Sequence, residues 1–221
     1  MRVYDGSPAK GGANMFINRE EAGIRLALKF SREENLQNAV IVLIPRGGVI
    51  VGKIVSEILN IPPAILIVKK IGAPNNPELA IGATGSDGVE FWDDKLIRSL
   101  GILRKEREEA LRQTIKTIYQ REKSWNLKSP KVKGKTAIVV DDGVATGATA
   151  IAASLILKKL GAKKIILATP VISKYTKREI AQYFDKIIAV ETPNDFSAVG
   201  EFYREFPQVS DKEARNLLKK S

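Results

Sequence analysis

The chain of 221 residues contains no cysteine and no histidine. Without cysteine it cannot form disulfides, thiolate zinc sites or a thiol nucleophile, and without histidine it lacks the commonest acid–base group and metal ligand of proteins. Any chemistry must therefore use carboxylates, amines, hydroxyls and the backbone. No apolar run approaches the roughly 20 residues that span a membrane, and the start of the chain lacks the hydrophobic region of a secretion signal. The sequence thus predicts a soluble, cytoplasmic protein.

Positive charge is in excess, because 36 Lys and Arg residues stand against 25 Asp and Glu and give a formal net charge of +11. Such a surface attracts anions, which include nucleic acids, anionic lipids and phosphorylated small molecules. Charge alone does not choose among them. The hydrophobic content of 44% is enough for the core of one large α/β domain. We therefore expect residues 1–221 to form a single domain.

Short β-branched runs alternate with segments of helical periodicity. The run NAVIVLI is typical of a strand buried on both faces, and it ends at PRGG, after which a helical segment leads to a second apolar run, PPAILIVKK. This strand–helix–strand order predicts parallel strands. Three further strands are predicted in TAIVVDD, KKIILATP and KIIAVE. The fold class is therefore α/β, with a central, mostly parallel sheet flanked by helices.

Three stretches depart from this alternation. Residues 71–80 are rich in Gly, Pro and Asn and predict a long mobile loop, with short strands around 79–84 and 88–92. Residues 94–124 have a helical pattern and predict a long helical insertion. An irregular stretch containing aromatic residues follows at 192–209.

Ligands of parallel α/β sheets bind at the carboxyl ends of the strands, so the residues after each buried run are the most informative. The stretch AIVVDDGVATGATA, residues 137–150, is the most specific of them. Its small residues leave backbone N–H groups open at the start of a helix, where they favour a phosphate. Asp141 and Asp142 would repel that phosphate but suit neutral hydroxyls, such as a ribose diol, or a metal-bound neighbour. A sugar phosphate would satisfy both halves of the stretch.

Other phosphate-binding patterns do not fit this stretch. A Walker loop needs Gly-Lys-Ser/Thr, but here Gly147 is followed by Ala148 and Thr149, and the dinucleotide pattern G-x-G-x-x-G is absent. The plainer alternative is that both acids only cap the next helix. Asp93 and Asp94 offer a comparison within the chain, because they precede a helix without a glycine-rich loop. We assign capping to that pair and ligand binding to the pair before the glycines.

The apolar strand, the two acids and GVATGAT resemble the 5-phosphoribosyl-1-pyrophosphate (PRPP) signature of type I phosphoribosyltransferases. The chain is most similar to a branch of predicted phosphoribosyltransferases whose substrate is unassigned. The resemblance implies the fold of that family, with a small hood-like segment and a flexible loop. It implies that the acids hold the ribose 2- and 3-hydroxyls and that the small residues cradle the 5-phosphate. The implied PRPP-binding residues are Asp141, Asp142, Gly143, Val144, Ala145, Thr146, Gly147, Ala148 and Thr149.

PRGG is similar to the pyrophosphate loop of the family, in which Arg46, Gly47 and Gly48 would contact pyrophosphate, commonly through a cis peptide bond. The alternative is an ordinary surface arginine followed by a simple turn. Lys69 and Lys70 end the next strand and look like the basic residues that neutralise the leaving pyrophosphate, although neighbours in a strand face opposite ways. The implied catalytic residues are Arg46, Lys69, Asp141 and Asp142.

The reaction of the family needs no covalent nucleophile, so the missing cysteine and histidine do not count against it. Pyrophosphate would leave C1 of the ribose through an oxocarbenium-like state that positioning, Mg2+ and basic residues stabilise. Closure of the flexible loop at residues 71–80, where Glu78 is a further candidate, would exclude water. Mg2+ is the implied cofactor, and in this family substrate oxygens supply most of its ligands, with Asp142 as an indirect protein contact.

Two features of the sequence favour different acceptor bases. In hypoxanthine and guanine enzymes the position of Ala145 is an aspartate that accepts a proton from the purine, whereas adenine-type members have alanine. Yet TPNDFSAVGEFYREF loosely resembles the segment that covers the base in 6-oxopurine enzymes, with Phe196 and Val199 as stacking candidates. Core packing of its aromatic residues is the simpler alternative. The resemblance favours a purine acceptor, as in purine salvage, and a homodimer.

Two other functions stay open. A regulator on this fold would sense PRPP or a nucleotide while basic residues within 98–112 and 128–135 bind RNA. However, helical Lys and Arg mixed with Glu usually form a solvated surface. A sugar-phosphate binding or hydrolysing protein would consume PRPP whether or not a base is added. We favour the transferase, with PRPP and a base as partners and without a membrane partner.

Overall fold

The central feature of the computed structural model, which describes residues 15–31, 36–85 and 88–219, is a parallel β-sheet. The strands in these ranges are β1 (Ala39–Leu43), β2 (Pro63–Ile65), β3 (Val68–Ala73), β4 (Asn76–Gly85), β5 (Glu90–Trp92), β6 (Thr136–Val140), β7 (Lys164–Val171) and β8 (Lys186–Glu191). Five of them form the central sheet in the order β2-β1-β6-β7-β8, and every neighbouring pair is parallel. The predicted α/β fold with a parallel sheet is confirmed.

Helices connect and flank these strands. They are α1 (Arg19–Ser31), α2 (Gly47–Leu59), α3 (Asp94–Ser99), α4 (Arg104–Trp125), α5 (Ala148–Lys159), α6 (Lys174–Ile180) and α7 (Asp211–Lys219). The start of α1 is capped, because the Glu21 N–H donates to Asn18 Oδ1 at 3.0 Å and the Ile17 N–H donates to the Glu21 carboxylate at 3.2 Å. Within the described ranges, no helix combines the length and the apolar character that crossing a membrane requires.

Helices cover both faces of the central sheet, and because side chains alternate along each strand, every strand contributes apolar residues to both layers. Ile41 and Ile138 lie in an apolar layer with residues of α1, α2 and α7. Val42 and Val139 lie in a second layer with residues of α5. This double burial explains why the strands are continuous apolar runs in the sequence.

Residues 71–80, predicted to form a long mobile loop, lie in a β-hairpin in the structure, so the expected irregular loop is wrong, whereas the mobility of this segment stays a prediction. Strands β3 and β4 pair in antiparallel fashion, Ala73 lies opposite Asn76, and β5 adds a third strand to this second sheet. Gly72 permits a close crossing, because a Cβ there would overlap the backbone of Pro77. The Gly, Pro and Asn content that predicts a loop instead serves the turn and the irregular pairing around it.

The predicted strand PPAILIVKK is divided between the two sheets. Pro63–Ile65 pairs with β1 in the central sheet, whereas Val68 and the lysines after it pair with β4. A continuous apolar run does not mark the point at which its pairing partner changes. The two lysines therefore lie on the hairpin and not at the end of a central strand.

The predicted helical insertion at residues 94–124 consists of two helices. Helix α3 ends before Gly101, whose φ of +64° suits glycine, and α4 then begins at Arg104. The Asp93 side chain accepts a hydrogen bond from the Leu96 N–H at 2.9 Å, so its predicted capping role is confirmed. Residues of α3 and α4 pack on the apolar side of the hairpin, around Ile71.

Candidate active site

Two glycine-containing segments, PRGG at residues 45–48 and the acids with the loop after them at residues 141–149, are predicted to bind PRPP. They meet at one edge of the central sheet. Strands β1 and β6 are parallel neighbours, so the segments that follow them emerge side by side. A Cβ on Gly47 would overlap the carboxylate of Asp142, and a Cβ on Gly48 would lie 2.8 Å from the Val140 carbonyl oxygen. Both positions therefore require glycine. Arg46 is exposed beside them, and the peptide bond between Pro45 and Arg46 is cis.

The loop of small residues after the acids is held from outside by α6. The Thr176 hydroxyl donates to the Ala145 carbonyl at 2.7 Å and accepts from the Ser173 hydroxyl at 2.9 Å. Gly147 has a φ of +81°, and a Cβ there would lie 2.6 Å from Ile180 Cγ2. Helix α5 begins at the next residue, and the first N–H groups of a helix have no partner within it. The loop is thus a fixed backbone cradle suited to an anion.

The two adjacent acids have different surroundings. Asp142 Oδ2 accepts a hydrogen bond from Arg19 Nε at 2.7 Å in an ion pair that is largely buried. Asp141 accepts from the Asp142 N–H at 2.9 Å. Burial and the neighbouring Asp142 charge raise the pKa of Asp141 well above its usual range, and the Lys70 charge has a smaller, opposing effect. The site therefore pairs one arginine-bound carboxylate with one that retains its proton to higher pH.

Lys69 and Lys70 point to different sides of β3. Lys70 is exposed, and its charge acts on Asp141. Lys69 is half-buried, and the pKa of its amine is lowered by burial and by the charge of Arg121, against a smaller opposing effect of Asp211. The assignment of Lys69 to the catalytic residues stays a prediction, and the effect of the Lys70 charge on Asp141 makes Lys70 a second candidate. The Glu78 side chain lies outside the described parts of the structure.

The stretch at residues 192–209, here called the covering segment, lies over the carboxyl end of β6. The Tyr203 hydroxyl donates to the Asp142 carbonyl at 2.5 Å, and burial together with the Asp142 charge raises the pKa of this hydroxyl. Val199 packs on Gly143, where a Cβ would overlap it. Phe196 stacks on the buried Phe202 with ring centroids 5.2 Å apart. Val199 is thus at the site, whereas Phe196 belongs to an aromatic cluster beside it.

Three residues of the site are not identified by the sequence pattern. Arg19, Thr176 and Tyr203 contact the acids or the loop of residues 143–149, here called the phosphate loop for its predicted ligand, from positions 123, 31 and 61 residues away in the chain. None of them belongs to a local motif. The one local signal is that Arg19 is the first residue of α1, where the helix dipole disfavours a positive charge.

The residues at the site are suited to Mg2+ held mainly by a substrate. In the ranges that the structure describes, acidic residues do not form a cluster of three or more that could hold a metal. Two adjacent carboxylates are available, and one oxygen of Asp142 is already bound to Arg19. Mg2+ commonly binds through one or two carboxylates together with substrate phosphates. The donor set therefore fits a metal that arrives with a polyphosphate.

Comparison with known proteins agrees with this geometry. A family model described as "Phosphoribosyl transferase domain" matches residues 16–205. Proteins named "Putative phosphoribosyl transferase" in two Mycobacterium tuberculosis strains, CDC 1551 and H37Rv, are each 36% identical over 207 residues, which are 92% of this chain and 46% of theirs. The chain thus spans about half the length of these relatives. The crystal structure of TT1426 from Thermus thermophilus is 30% identical, with a TM-score of 0.78, over 93% of this chain and 98% of that one.

Proposed function

We propose that this chain, which belongs to the phosphoribosyl transferase family, transfers the 5-phosphoribosyl group of PRPP to a nitrogenous base and releases pyrophosphate. The observation that carries this proposal is the contact between the two glycine-containing segments. Gly47 lies against the Asp142 carboxylate, so a ligand bound to the acids also lies beside the PRGG segment. PRPP, with a sugar phosphate at one end and a pyrophosphate at the other, has the chemistry that such a double site would recognise.

Each part of the site has a role in this reaction. Asp141 and Asp142 would bind the ribose hydroxyls, and the backbone N–H groups of residues 145–149 would bind the 5-phosphate. Arg46 and Lys70 would stabilise the negative charge that develops as the bond between C1 and the pyrophosphate oxygen breaks. A nitrogen of the base then forms the new bond to C1 and loses its proton. Asp142 would be an indirect protein contact to a Mg2+ ion that arrives with the substrate, and such an ion would supply further positive charge for the leaving group.

A purine is the acceptor class that we propose. The covering segment brings Val199 onto Gly143, beside the acids, so an aromatic base attached to C1 could pack against this side chain. Ala145 has no side-chain proton acceptor, and its carbonyl is already bound by Thr176. This combination favours a base that is recognised by packing and backbone contacts over one that needs a carboxylate at position 145.

A panel of bases tests the reaction. Adenine, guanine, hypoxanthine, xanthine, uracil and orotate are each incubated with PRPP and Mg2+, and pyrophosphate and nucleotide are quantified. We expect one purine to release pyrophosphate and form its nucleotide in equal amounts. Release that is the same with and without every base would instead indicate a PRPP hydrolase.

The RNA-binding regulator is less well supported. Several cations of α4 that would form its basic surface are paired with acids, including Arg104 with Glu108 at 2.8 Å and Arg112 with Glu109 at 2.7 Å. Arg107 lies 3.5 Å from Asp94. Such pairs reduce the positive potential available to a phosphate backbone. Steep salt-dependent RNA binding without PRPP turnover is the result that would favour the regulator.

A further inference from the structure

Arg19 occupies an unusual position for a charged residue. It is the first residue of α1 and is only 6% exposed, although the helix dipole disfavours a cation there and burial of a charge is costly. A buried arginine persists where its guanidinium is paired and hydrogen-bonded. The contacts of Arg19 therefore indicate what it does.

The guanidinium of Arg19 connects the acid pair to the covering segment. Its Nε donates to Asp142 Oδ2 and its Nη1 donates to the Pro207 carbonyl, both at 2.7 Å. Its central carbon lies 3.7 Å from the ring centroid of Phe206. Phe206 in turn lies 4.8 Å from the ring of Tyr203, whose hydroxyl binds the Asp142 carbonyl. Asp142 is thus held through its side chain and its backbone by one connected group of residues.

The planar fork of arginine suits this role in a way that lysine does not. Guanidinium can donate in two fixed directions while its face stacks on an aromatic ring, whereas an ammonium is a single point charge. The carboxylate, the carbonyl and the ring approach Arg19 from different elements. The same side chain can therefore fix both the rotamer of Asp142 and the position of residues 206–207.

We propose that Arg19 is a positioning residue that couples PRPP binding by Asp142 to the placement of the covering segment over the acceptor base. This rests on the proposed function, because it assigns the ribose to Asp142 and the base to the covering segment. Arg19 does not touch the substrate in this arrangement. Its effect on binding passes through Asp142 on one side and through Pro207 and Phe206 on the other.

A double-mutant cycle tests the coupling to Asp142. PRPP binding with Mg2+ is measured by calorimetry for the wild type, Arg19→Gln, Asp142→Asn and the double variant. We expect Arg19→Gln to weaken binding about tenfold, and the double variant to match Asp142→Asn within about twofold, because the two residues act on the same contact. Losses that multiply would overturn the proposal, as would wild-type affinity in Arg19→Gln alongside a loss in Asp142→Asn.

Arg25→Gln is the matched control for loss of a paired arginine. Arg25 is also in α1, but its guanidinium pairs with Glu191 at 2.9 Å and lies over the ring of Phe16 at 4.6 Å, so these partners differ from the Asp142, Pro207 and Phe206 partners of Arg19. We expect its PRPP affinity to stay within about twofold of the wild type. A wild-type protein that does not bind PRPP at all would refute the proposed function itself, which keeps that failure distinct from failure of the Arg19 proposal.

Hydrogen exchange tests the coupling to the covering segment. In Arg19→Gln we expect faster amide exchange in a peptide covering residues 205–210, with exchange in α4 unchanged, because the bond to Pro207 is lost. Arg19→Lys keeps the charge beside Asp142 but cannot make both contacts. It should recover most of the PRPP affinity while exchange at 205–210 stays fast. Recovery of both properties by lysine, or unchanged exchange in Arg19→Gln, would contradict the coupling.

Discussion

At the scale of single residues, the adjacent acids are not equivalent. Asp142 is paired with Arg19, whereas burial and the charge of Asp142 raise the pKa of Asp141. An unfolded aspartate has a pKa of about 3.9. Above that pH the unfolded state has lost the Asp141 proton, whereas the folded state still binds it. The free energy of unfolding therefore falls as pH rises toward the folded pKa of Asp141. The acid pair therefore reduces stability at neutral pH, as expected of a binding site.

Asp141→Asn should consequently stabilise the protein at neutral pH, because it removes a carboxyl whose ionisation in the folded state costs free energy. The gain should shrink as pH falls and disappear below about pH 3.9, where both states carry a protonated Asp141. Denaturant unfolding of both proteins across this pH range measures the difference. A gain that does not change with pH would contradict the shifted pKa.

Gly47→Ala tests the contact between the two segments. Its Cβ would overlap the Asp142 carboxylate, so we expect a loss of about 1–3 kcal/mol in the free energy of unfolding and PRPP binding weakened by more than about tenfold. Gly101→Ala is the control, because its position is open but has a φ of +64°. It should cost about 1 kcal/mol through backbone strain and leave PRPP binding unchanged. Equal PRPP affinity in both variants would count against the convergence of the segments.

The sequence predicts the acids and the glycines because their signal is local. A strand end, two carboxylates and a run of small residues are adjacent in the chain, and this order predicts a ligand site. Arg19 and Tyr203 reach the same site from 123 and 61 residues away. Such contacts depend on how α1 and the covering segment pack, and that packing leaves no pattern in a single sequence.

At the scale of elements, α6 supports the phosphate loop through one hydroxyl. Thr176→Val should leave the Ala145 carbonyl without this donor, at a cost of about 1–3 kcal/mol in unfolding free energy, and should weaken PRPP binding. Thr114→Val is a matched control, because Thr114 is also buried but donates to the Ala110 carbonyl within α4. Calorimetric titration with PRPP compares the two. Weaker binding in the control alone would contradict the assigned role of α6.

On the hairpin of β3 and β4, the charge of Lys70 acts on the pKa of Asp141, whereas the pKa of Lys69 is lowered by burial and by the charge of Arg121. Lys70→Ala should therefore lower kcat/KM for PRPP by about tenfold, because a cation near the leaving pyrophosphate is lost. Lys69→Ala should have a smaller effect. Steady-state pyrophosphate release with the acceptor base measures both variants, and a larger loss in Lys69→Ala would reverse the assignment.

The strands of the central sheet were predictable, as were the short strands around residues 79–84 and 88–92, but the hairpin that joins β3 to β4 was not. The central strands are apolar runs because both of their faces are covered, so their burial can be predicted from the residue types alone. The hairpin contains Gly72, Pro74 and Pro77, which indicate a loop when pairing is unknown. Its stability depends on α3 and α4 packing around Ile71, a contact between distant segments. Whether the hairpin moves during catalysis stays a prediction.

At the scale of the whole molecule, the net charge of +11 is consistent with an anionic substrate but does not identify one. The fold restricts the choice, because it brings Arg46 and the phosphate loop to one edge of the central sheet beside the two acids. Several arginines of α4 are instead paired with acids. The homodimer and the cytoplasmic location stay predictions, and light scattering in solution tests the first of them.

The most direct measurement is PRPP binding by calorimetry, in the presence of Mg2+, for the wild type, Asp142→Asn and Asp93→Asn. Asp142 and Asp93 each belong to a pair of adjacent aspartates near the start of a helix. Asp93 caps α3, and asparagine can also cap a helix, so Asp93→Asn serves as the control. We predict that the wild type and Asp93→Asn bind PRPP equally and that Asp142→Asn binds at least about tenfold more weakly. Equal binding by all three proteins, or no binding by the wild type, would contradict the site.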